Sequence, residues 1–150
     1  LVASMRAKGP LPSEVAYIWT KSHVLRGNAE LAKREAAGVP PESRLWAKAR
    51  YMAAVAEVQL GRYTEARSIF EELASIADNY EEAAAIRDLA AMDRARIFLD
   101  QGDLPASVDA YQQIDRKSPY FEQSLYEASW SYVRAADRAP DDAAKVAEYK

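Results

Sequence analysis

The stretch "GDLPASVDAYQQIDRKSP", Gly102–Pro119, opens with a glycine, continues through a half-apolar segment and ends on a proline. The same layout occurs in "GRYTEARSIFEELASIADN", which begins at Gly61. When the two glycines are aligned, Ala66 corresponds to Ser107, and the larger apolar residues that follow them also coincide. The opening stretch is therefore one copy of a repeated unit.

The repeat extends in both directions from these two copies. Upstream, "GNAELAKREAAG" begins at Gly27, and downstream Ala136 stands where the next glycine would fall. The successive intervals from Gly27 to Gly61, to Gly102 and to Ala136 are 34, 41 and 34 residues. Units of this length are typical of helix–turn–helix repeats, which bury their apolar faces by stacking on their neighbours.

Composition and charge narrow the class of protein. The 150 residues suffice for one domain with a core, and alanine, a strong helix former, is abundant. No apolar run approaches the roughly 20 residues of a membrane span, so we expect no membrane insertion in this segment. The net charge of −3 argues against a nucleic-acid partner, and the lack of cysteine excludes disulfides.

The repeat resembles the tetratricopeptide repeat. A small residue lies seven positions before each turn, as in that family: Thr20, Ala54, Ala95 and Ser129. The family's aromatic residue four positions before the turn is present as Phe98 and Tyr132, whereas His23 and Glu57 depart from it. The resemblance implies an all-α fold, a right-handed α-solenoid of antiparallel helix pairs. The stretch from Tyr111 to Asp137 also resembles tetratricopeptide proteins of bacterial cell envelopes, which favours the periplasm or cell envelope over the cytoplasm.

The register gives the expected organisation of the chain. Residues 1–12 form an N-terminal extension, and residues 13–150 form a single solenoid of about four units. The units span residues 13–46, 47–80, 81–120 and 121–150, the last one incomplete. The third has an elongated first helix, because seven extra residues add about two helical turns. We expect Asp78 or Asn79 to cap this helix and Glu81 and Glu82 to lie in its first turn.

The sequence offers few residues in arrangements suited to catalysis. His23 is the only histidine, and it lies at a repeat position where packing is expected. The acidic pairs are adjacent in sequence and so point to different sides of a helix, whereas acid–base catalysis needs converging groups. The three turn glycines are isolated and form no phosphate loop. We expect no enzyme, no metal site and no cofactor.

The resemblance implies a binding surface instead. In the tetratricopeptide family, residues ten, six and three positions before each turn line a concave groove. The third set is here Val24, Val58, Leu99 and Val133, and the first two sets, which we take as the candidate partner-binding residues, are Tyr17, Lys21, Tyr51, Val55, Met92, Arg96, Tyr126 and Trp130. Several are large amphipathic side chains, which make good contacts with an extended or helical peptide. We expect Tyr51, Met92 and Tyr126 in particular to be exposed in the groove.

The groove positions also exclude one known type of partner. Tetratricopeptide domains that hold the acidic tails of chaperones carry a lysine and an asparagine early in one first helix and a lysine and an arginine in the next. This chain has Tyr51 with Val55, and Met92 with Arg96, at those positions. A clamp for two carboxylates is therefore not expected. Four cations could pair with single acidic groups at the rim: Lys21, Lys48, Arg96 and Arg134.

These observations predict a non-catalytic scaffold whose groove holds a peptide or helix of a partner protein. The alternative is a structural spacer in a longer repeat chain, with the groove filled by its own flanking sequence. A carrier of a small molecule or glycan is a third hypothesis. We also expect a final helix over residues 140–150, with Val146 and Tyr149 docked on the preceding helix. Self-association through this C-terminal end is a further possible contact.

Overall fold

All regular structure in the described part of the chain is helical. The computed structural model describes residues 11–138, in which no strand occurs. The helices are α1 (Ser13–Leu25), α2 (Ala29–Ala36), α3 (Trp46–Gln59), α4 (Tyr63–Ala74), α5 (Ala83–Asp100), α6 (Leu104–Gln112) and α7 (Phe121–Arg138). The prediction of an all-α protein is confirmed.

The chain divides into two compact units between Arg87 and Asp88, within α5. Unit 1 contains α1 to α4, and unit 2 contains α6, α7 and the greater part of α5. The expected single right-handed solenoid over residues 13–150 concerns the arrangement of both units and stays a prediction.

Three glycines hold the backbone conformation that the repeat requires. Gly27, Gly61 and Gly102 have φ angles of 72°, 71° and 83°, a left-handed region that side-chain-bearing residues rarely adopt. Each follows the end of a longer helix, and the next helix begins two residues later. The predicted turns at these three glycines are therefore confirmed.

The same pair of backbone hydrogen bonds closes each glycine turn. The N–H of the residue after the glycine donates to a carbonyl five positions back, at 2.9 Å each time: Asn28 to His23, Arg62 to Glu57 and Asp103 to Phe98. The glycine N–H itself donates to a carbonyl three positions back, at 2.9 to 3.0 Å. This is the Schellman motif, which satisfies carbonyls left over at a helix end.

Small residues lie at the predicted contacts between paired helices. Five positions after each glycine stand Ala32, Ala66 and Ser107, and all three are fully buried. Seven positions before each glycine stand Thr20, Ala54 and Ala95, which are also fully buried. Side chains of this size let two helix backbones approach closely. The register predicted from the sequence thus holds for all three glycine turns.

In unit 1, four helices pack around a core rich in alanine. Helix α1 contacts α2 and α3, α2 contacts α3, and α3 contacts α4. One cluster, which we call the α1–α3 cluster, joins Ala16, Ala36 and Val39 to Ala49 and Ala53 of α3. A second cluster lies nearer the glycine turns and contains Val24, Ala29, Ala32 and Ala56. Helix α3, which contacts the other three helices, therefore buries residues on more than one side, as expected for a helix stacked between neighbours.

In unit 2, one cluster joins all three helices. Ala91, Met92 and Ala95 of α5 pack with Ala110, Tyr111 and Ile114, which lie on or just after α6. Ala128 of α7 and the partly buried Phe98 and Tyr120 pack against this cluster. Helix α7 also contacts α6.

The start of α5 differs from the prediction. The helix is 18 residues long and begins at Ala83, so neither Asp78 nor Asn79 caps it, and Glu81 and Glu82 precede its first turn. Glu82 has a φ of 58°, which lies outside the range of a right-handed helix, so α5 cannot extend back through this residue. The physical reason lies in contacts with residues distant in sequence: the Glu81 and Glu82 carboxylates both accept hydrogen bonds from Lys48 of α3. These ion pairs hold the segment outside the helix.

Two predictions from the sequence concern segments that lie wholly or mostly outside the described residues. The N-terminal extension over residues 1–12 is described only at residues 11 and 12. The final helix over residues 140–150, with Val146 and Tyr149, lies wholly outside.

The buried position of Ala66 makes a prediction about stability. Ala66→Leu adds three carbon atoms at a fully buried helix contact and should lower the free energy of unfolding by roughly 1–3 kcal/mol. Ser68→Leu, on the exposed side of the same helix, is the matched control and should cost nothing, since leucine is a good helix former. Urea unfolding followed by circular dichroism measures both. Equal stabilities of the two variants would show that the register of α4 is wrong.

Candidate functional site

The groove residues predicted in unit 1 mostly contribute to internal packing. The Tyr51 ring lies 5.7 Å, centroid to centroid, from that of Phe70 on α4. Tyr17 is half-buried against the α1–α3 cluster, and the ammonium of Lys48 lies 6.0 Å from its ring centroid. Val55 packs against the cluster near the glycine turns. Lys21 is the exposed member of the set in this unit.

Lys48, expected as a rim cation, is already paired. Its Nζ lies 3.0 Å from Glu81 Oε1 and 2.9 Å from Glu82 Oε1. Burial alone lowers the pKa of Lys48, but the hydrogen bonds to Glu82 and Glu81 outweigh that effect and raise it. Lys48 therefore stays charged and serves to hold the segment before α5.

In unit 2, the prediction that Met92 is exposed in a groove is wrong. Met92 is fully buried in the cluster with Ala110 and Tyr111. The reason is that α6 packs directly over this side of α5, and the long thioether side chain fills the space between the two helices. Met92 therefore belongs to the core and not to a surface that a partner could reach.

Arg96 is also engaged within unit 2. Its guanidinium makes two parallel hydrogen bonds to the Glu127 carboxylate on α7, of 2.8 and 2.6 Å, and a third to Asp93 of 2.6 Å. Arg134, another expected rim cation, lies 3.3 Å from Asp100 Oδ1. Because these charges are satisfied internally, neither arginine is placed to hold an acidic group of a partner.

Glu127 is the centre of a hydrogen-bond network that anchors α7. Besides Arg96 of α5, it accepts a hydrogen bond of 2.9 Å from the Tyr111 hydroxyl of α6 and one of 2.8 Å from Gln123. A single carboxylate thus joins three helices. Two parallel bonds from a guanidinium also fix orientation, so the network sets the rotation of α7 about its axis.

The network changes the ionisation of its members. Burial by itself raises the pKa of Glu127, but the hydrogen bonds from Arg96, Gln123 and Tyr111 outweigh it, and the pKa lies below its usual value. Burial, reinforced by the hydrogen bond to Glu127, raises the pKa of Tyr111. The carboxylate therefore stays charged and the phenol neutral at neutral pH.

The anchored helix presents two predicted groove residues to solvent. Tyr126 is 70% exposed and Trp130 is 53% exposed. They are four residues apart, so they lie next to each other on one side of α7. We call Tyr126 and Trp130 the groove pair. It is the part of the predicted site that the structure places on the surface as large apolar side chains.

Two further apolar residues on α7 are exposed although the sequence analysis did not predict it. Leu125 is 53% exposed and Tyr132 is 39% exposed. The equivalent residues Ala16 in α1 and Phe98 in α5 pack inside their units, whereas α3 has Arg50 and Glu57 at these positions. The sequence signal that could have found Leu125 is size, since it replaces the alanine found at that position in α1 and α5, and no comparable signal marks Tyr132.

Unit 1 also contains a cleft of about 630 Å³ between α2, α3 and α4. Trp46, Val39 and Ile69 form apolar parts of its lining. Its charged residues are paired with one another, Lys33 with Glu57 at 2.7 Å and Arg50 with Glu72 at 2.8 Å. These pairs tie α3 to its two neighbours, so the charged groups of the cleft have a structural role.

Two other kinds of site are absent from residues 11–138. No group of three or more histidine or acidic residues in this range could hold a metal ion. No helix in the range is long and apolar enough to cross a membrane.

Comparisons of the chain with models of protein families, with curated proteins and with solved structures find no match. The resemblance to the tetratricopeptide repeat therefore depends on the repeat residues of this chain alone.

The low pKa of Glu127 predicts a dependence of stability on pH. A carboxylate whose pKa is lower in the folded than in the unfolded state stabilises the fold. Its contribution is complete when the pH is above the pKa of the unfolded state, about 4.3, and is lost as the pH falls through the pKa of the folded state. Glu127→Gln should cost roughly 1–3 kcal/mol at neutral pH and should remove this part of the acid dependence.

Urea unfolding at several pH values between about 7 and 3 measures the effect. Glu122→Gln is the matched control, because Glu122 is an exposed residue of the same helix and has no ion pair among the described residues. It should follow the wild type throughout. If Glu127→Gln also follows the wild type, the network does not anchor α7.

Proposed function

We propose that the chain is a non-catalytic protein-interaction module, built as a right-handed solenoid of the tetratricopeptide type, in which α7 holds a peptide segment of a partner protein. The exposed groove pair is the observation that carries this proposal. Tyrosine and tryptophan bring large contact areas with few rotatable bonds, and they are enriched among residues that dominate binding energies.

The anchoring of α7 supports the same function. A binding surface loses less entropy on association when its backbone and orientation are fixed beforehand. Glu127 lies between Tyr126 and Trp130 in sequence, and its bonds to Arg96 and Tyr111 hold α7 in one rotation. The hydrogen bonds between Arg96 and Glu127 therefore orient the groove pair, although they leave Arg96 unable to act as the predicted rim cation.

A structural role is the second candidate, and unit 1 favours it. There, Tyr51 packs on Phe70, Tyr17 contacts the α1–α3 cluster and Lys48 is paired with two carboxylates. Unit 1 would then serve as a spacer, while unit 2 makes the contact with the partner.

Selection from a displayed peptide library tests the proposed function. The library is selected on the wild-type chain, and the affinity of enriched peptides is measured on the double variant Tyr126→Ser/Trp130→Ser. We expect binding to weaken at least about tenfold, which corresponds to about 1.4 kcal/mol. The matched control is Ile18→Ser/Leu25→Ser on α1, which also removes two exposed apolar side chains and should leave the affinity unchanged.

Two results would contradict the proposed function. One is a library that yields no peptide enriched on the wild-type chain. The other is a set of enriched peptides that bind the groove-pair variant and the wild type equally well, while circular dichroism shows both to be folded.

A further inference from the structure

Two carboxylates flank the groove pair along α7. Glu122 lies four residues before Tyr126, and Asp137 lies seven residues after Trp130. Because each residue turns the helix by about 100°, the four side chains fall within about a quarter of its circumference. Both carboxylates are exposed, and neither has a side-chain hydrogen bond or ion pair among the described residues. We call Glu122, Tyr126, Trp130 and Asp137 the acid-flanked face of α7.

The cations predicted for the groove and rim of unit 2 do not offset these two charges. Arg96 donates hydrogen bonds to Glu127 and to Asp93. Arg134 lies 3.3 Å from Asp100 Oδ1. Two guanidinium groups are thus matched by three carboxylates of the same unit. The acid-flanked face therefore carries a net negative charge.

The whole of unit 2 has a charge of the same sign. Over residues 88–138 the sequence contains nine acidic and six basic residues, a net charge of −3. A negative field attracts basic partners during the encounter and repels acidic ones. The faces of aromatic rings attract cations as well. The charges and the rings of this surface thus favour the same sign of charge in a partner.

We propose, on the basis of the function proposed above, that the peptide held by α7 is basic. Its apolar centre packs on Tyr126 and Trp130, and a lysine or arginine on each side of that centre pairs with Glu122 or Asp137. The two carboxylates lie about 22 Å apart along the helix axis, at about 1.5 Å per residue. An extended peptide covers this distance in about seven residues. The partner is thus defined by the sign of its charges and by their spacing.

The segment that follows α7 does not have this chemistry. Residues 139–150 contain three acidic and two basic residues. Carboxylates brought to the acid-flanked face would be repelled by Glu122 and Asp137. Residues 1–10, in contrast, contain Arg6 and Lys8 and no acidic residue, so the experiment includes a variant that removes these two cations.

Three displayed peptide libraries test the charge of the partner. Each has two fixed positions about seven residues apart, occupied by lysine, by serine or by glutamate, and uncharged random residues elsewhere. All three are selected on the wild-type chain, and affinities are measured by fluorescence anisotropy. We expect the best lysine peptides to bind at least about threefold more tightly than the best serine peptides, because two exposed ion pairs are gained. Glutamate peptides should bind more weakly than serine peptides.

Variants of the chain locate the charge contact. Glu122→Gln/Asp137→Asn should weaken binding of the lysine peptides at least about threefold and leave the serine peptides unaffected. Raising NaCl from about 50 to about 500 mM should act in the same direction, because salt screens exposed charges. The matched control Glu65→Gln/Asp109→Asn removes the same charge from exposed positions of α4 and α6 and should bind as the wild type does. Circular dichroism shows whether each variant is folded.

Several outcomes would overturn this inference. They are equal affinities of the best lysine and serine peptides, and lysine peptides that bind Glu122→Gln/Asp137→Asn as tightly as the wild type. A gain in affinity for the lysine peptides in Arg6→Ser/Lys8→Ser would show that the start of the chain occupies the face. In all of these cases, serine peptides that are weakened by the groove-pair variant leave the proposed function standing. If the groove-pair variant weakens no peptide from any library, the proposed function and this inference both fail.

Discussion

One backbone hydrogen bond governs the architecture of the described chain: an N–H just beyond a left-handed glycine donates to a carbonyl five positions back. It occurs at Gly27, Gly61 and Gly102 with the same length, 2.9 Å. The bond ends one helix and starts the next within three residues, so the two helices are held side by side. This placement brings the fifth residue after the glycine against the first helix. The buried Ala32, Ala66 and Ser107 follow from that constraint.

The proposed function depends on how the last described helix departs from this rule. Helix α7 has the length and the small residue of a first helix, but Ala136 stands where the others have their turn glycine. Four large apolar side chains of α7 are exposed: Leu125, Tyr126, Trp130 and Tyr132. The Glu127 network holds α7 in place from its opposite side, through Arg96 and Tyr111. An anchored helix with exposed aromatic side chains is a surface suited to binding other chains.

Local features of the fold could be predicted from the sequence, and features set by distant contacts could not. The glycine turns and the buried Ala66 follow from spacing alone, because turn and register are decided within a few residues. The start of α5 depends on Lys48, more than 30 residues earlier, and no local pattern shows that Glu81 and Glu82 pair with it. Met92 was wrongly expected to be exposed because its burial depends on how closely α6 packs over α5. The resemblance assigns a surface role to the positions of the groove pair; Tyr126 and Trp130 are exposed there, whereas Met92, at the repeat position of Tyr126, is buried.

The repeated turn can be tested most directly by the same substitution at three places. A Cβ added at Gly27, Gly61 or Gly102 meets nothing within 4 Å. The cost of Gly→Ala at each position is therefore only the free energy needed to hold alanine in the left-handed backbone conformation. The account predicts that the three single variants lose nearly the same free energy of unfolding, about 1 kcal/mol each, in urea titrations followed by circular dichroism. A variant with no loss, or one whose loss is several times that of the others, would contradict the claim that one turn geometry builds all three helix pairs.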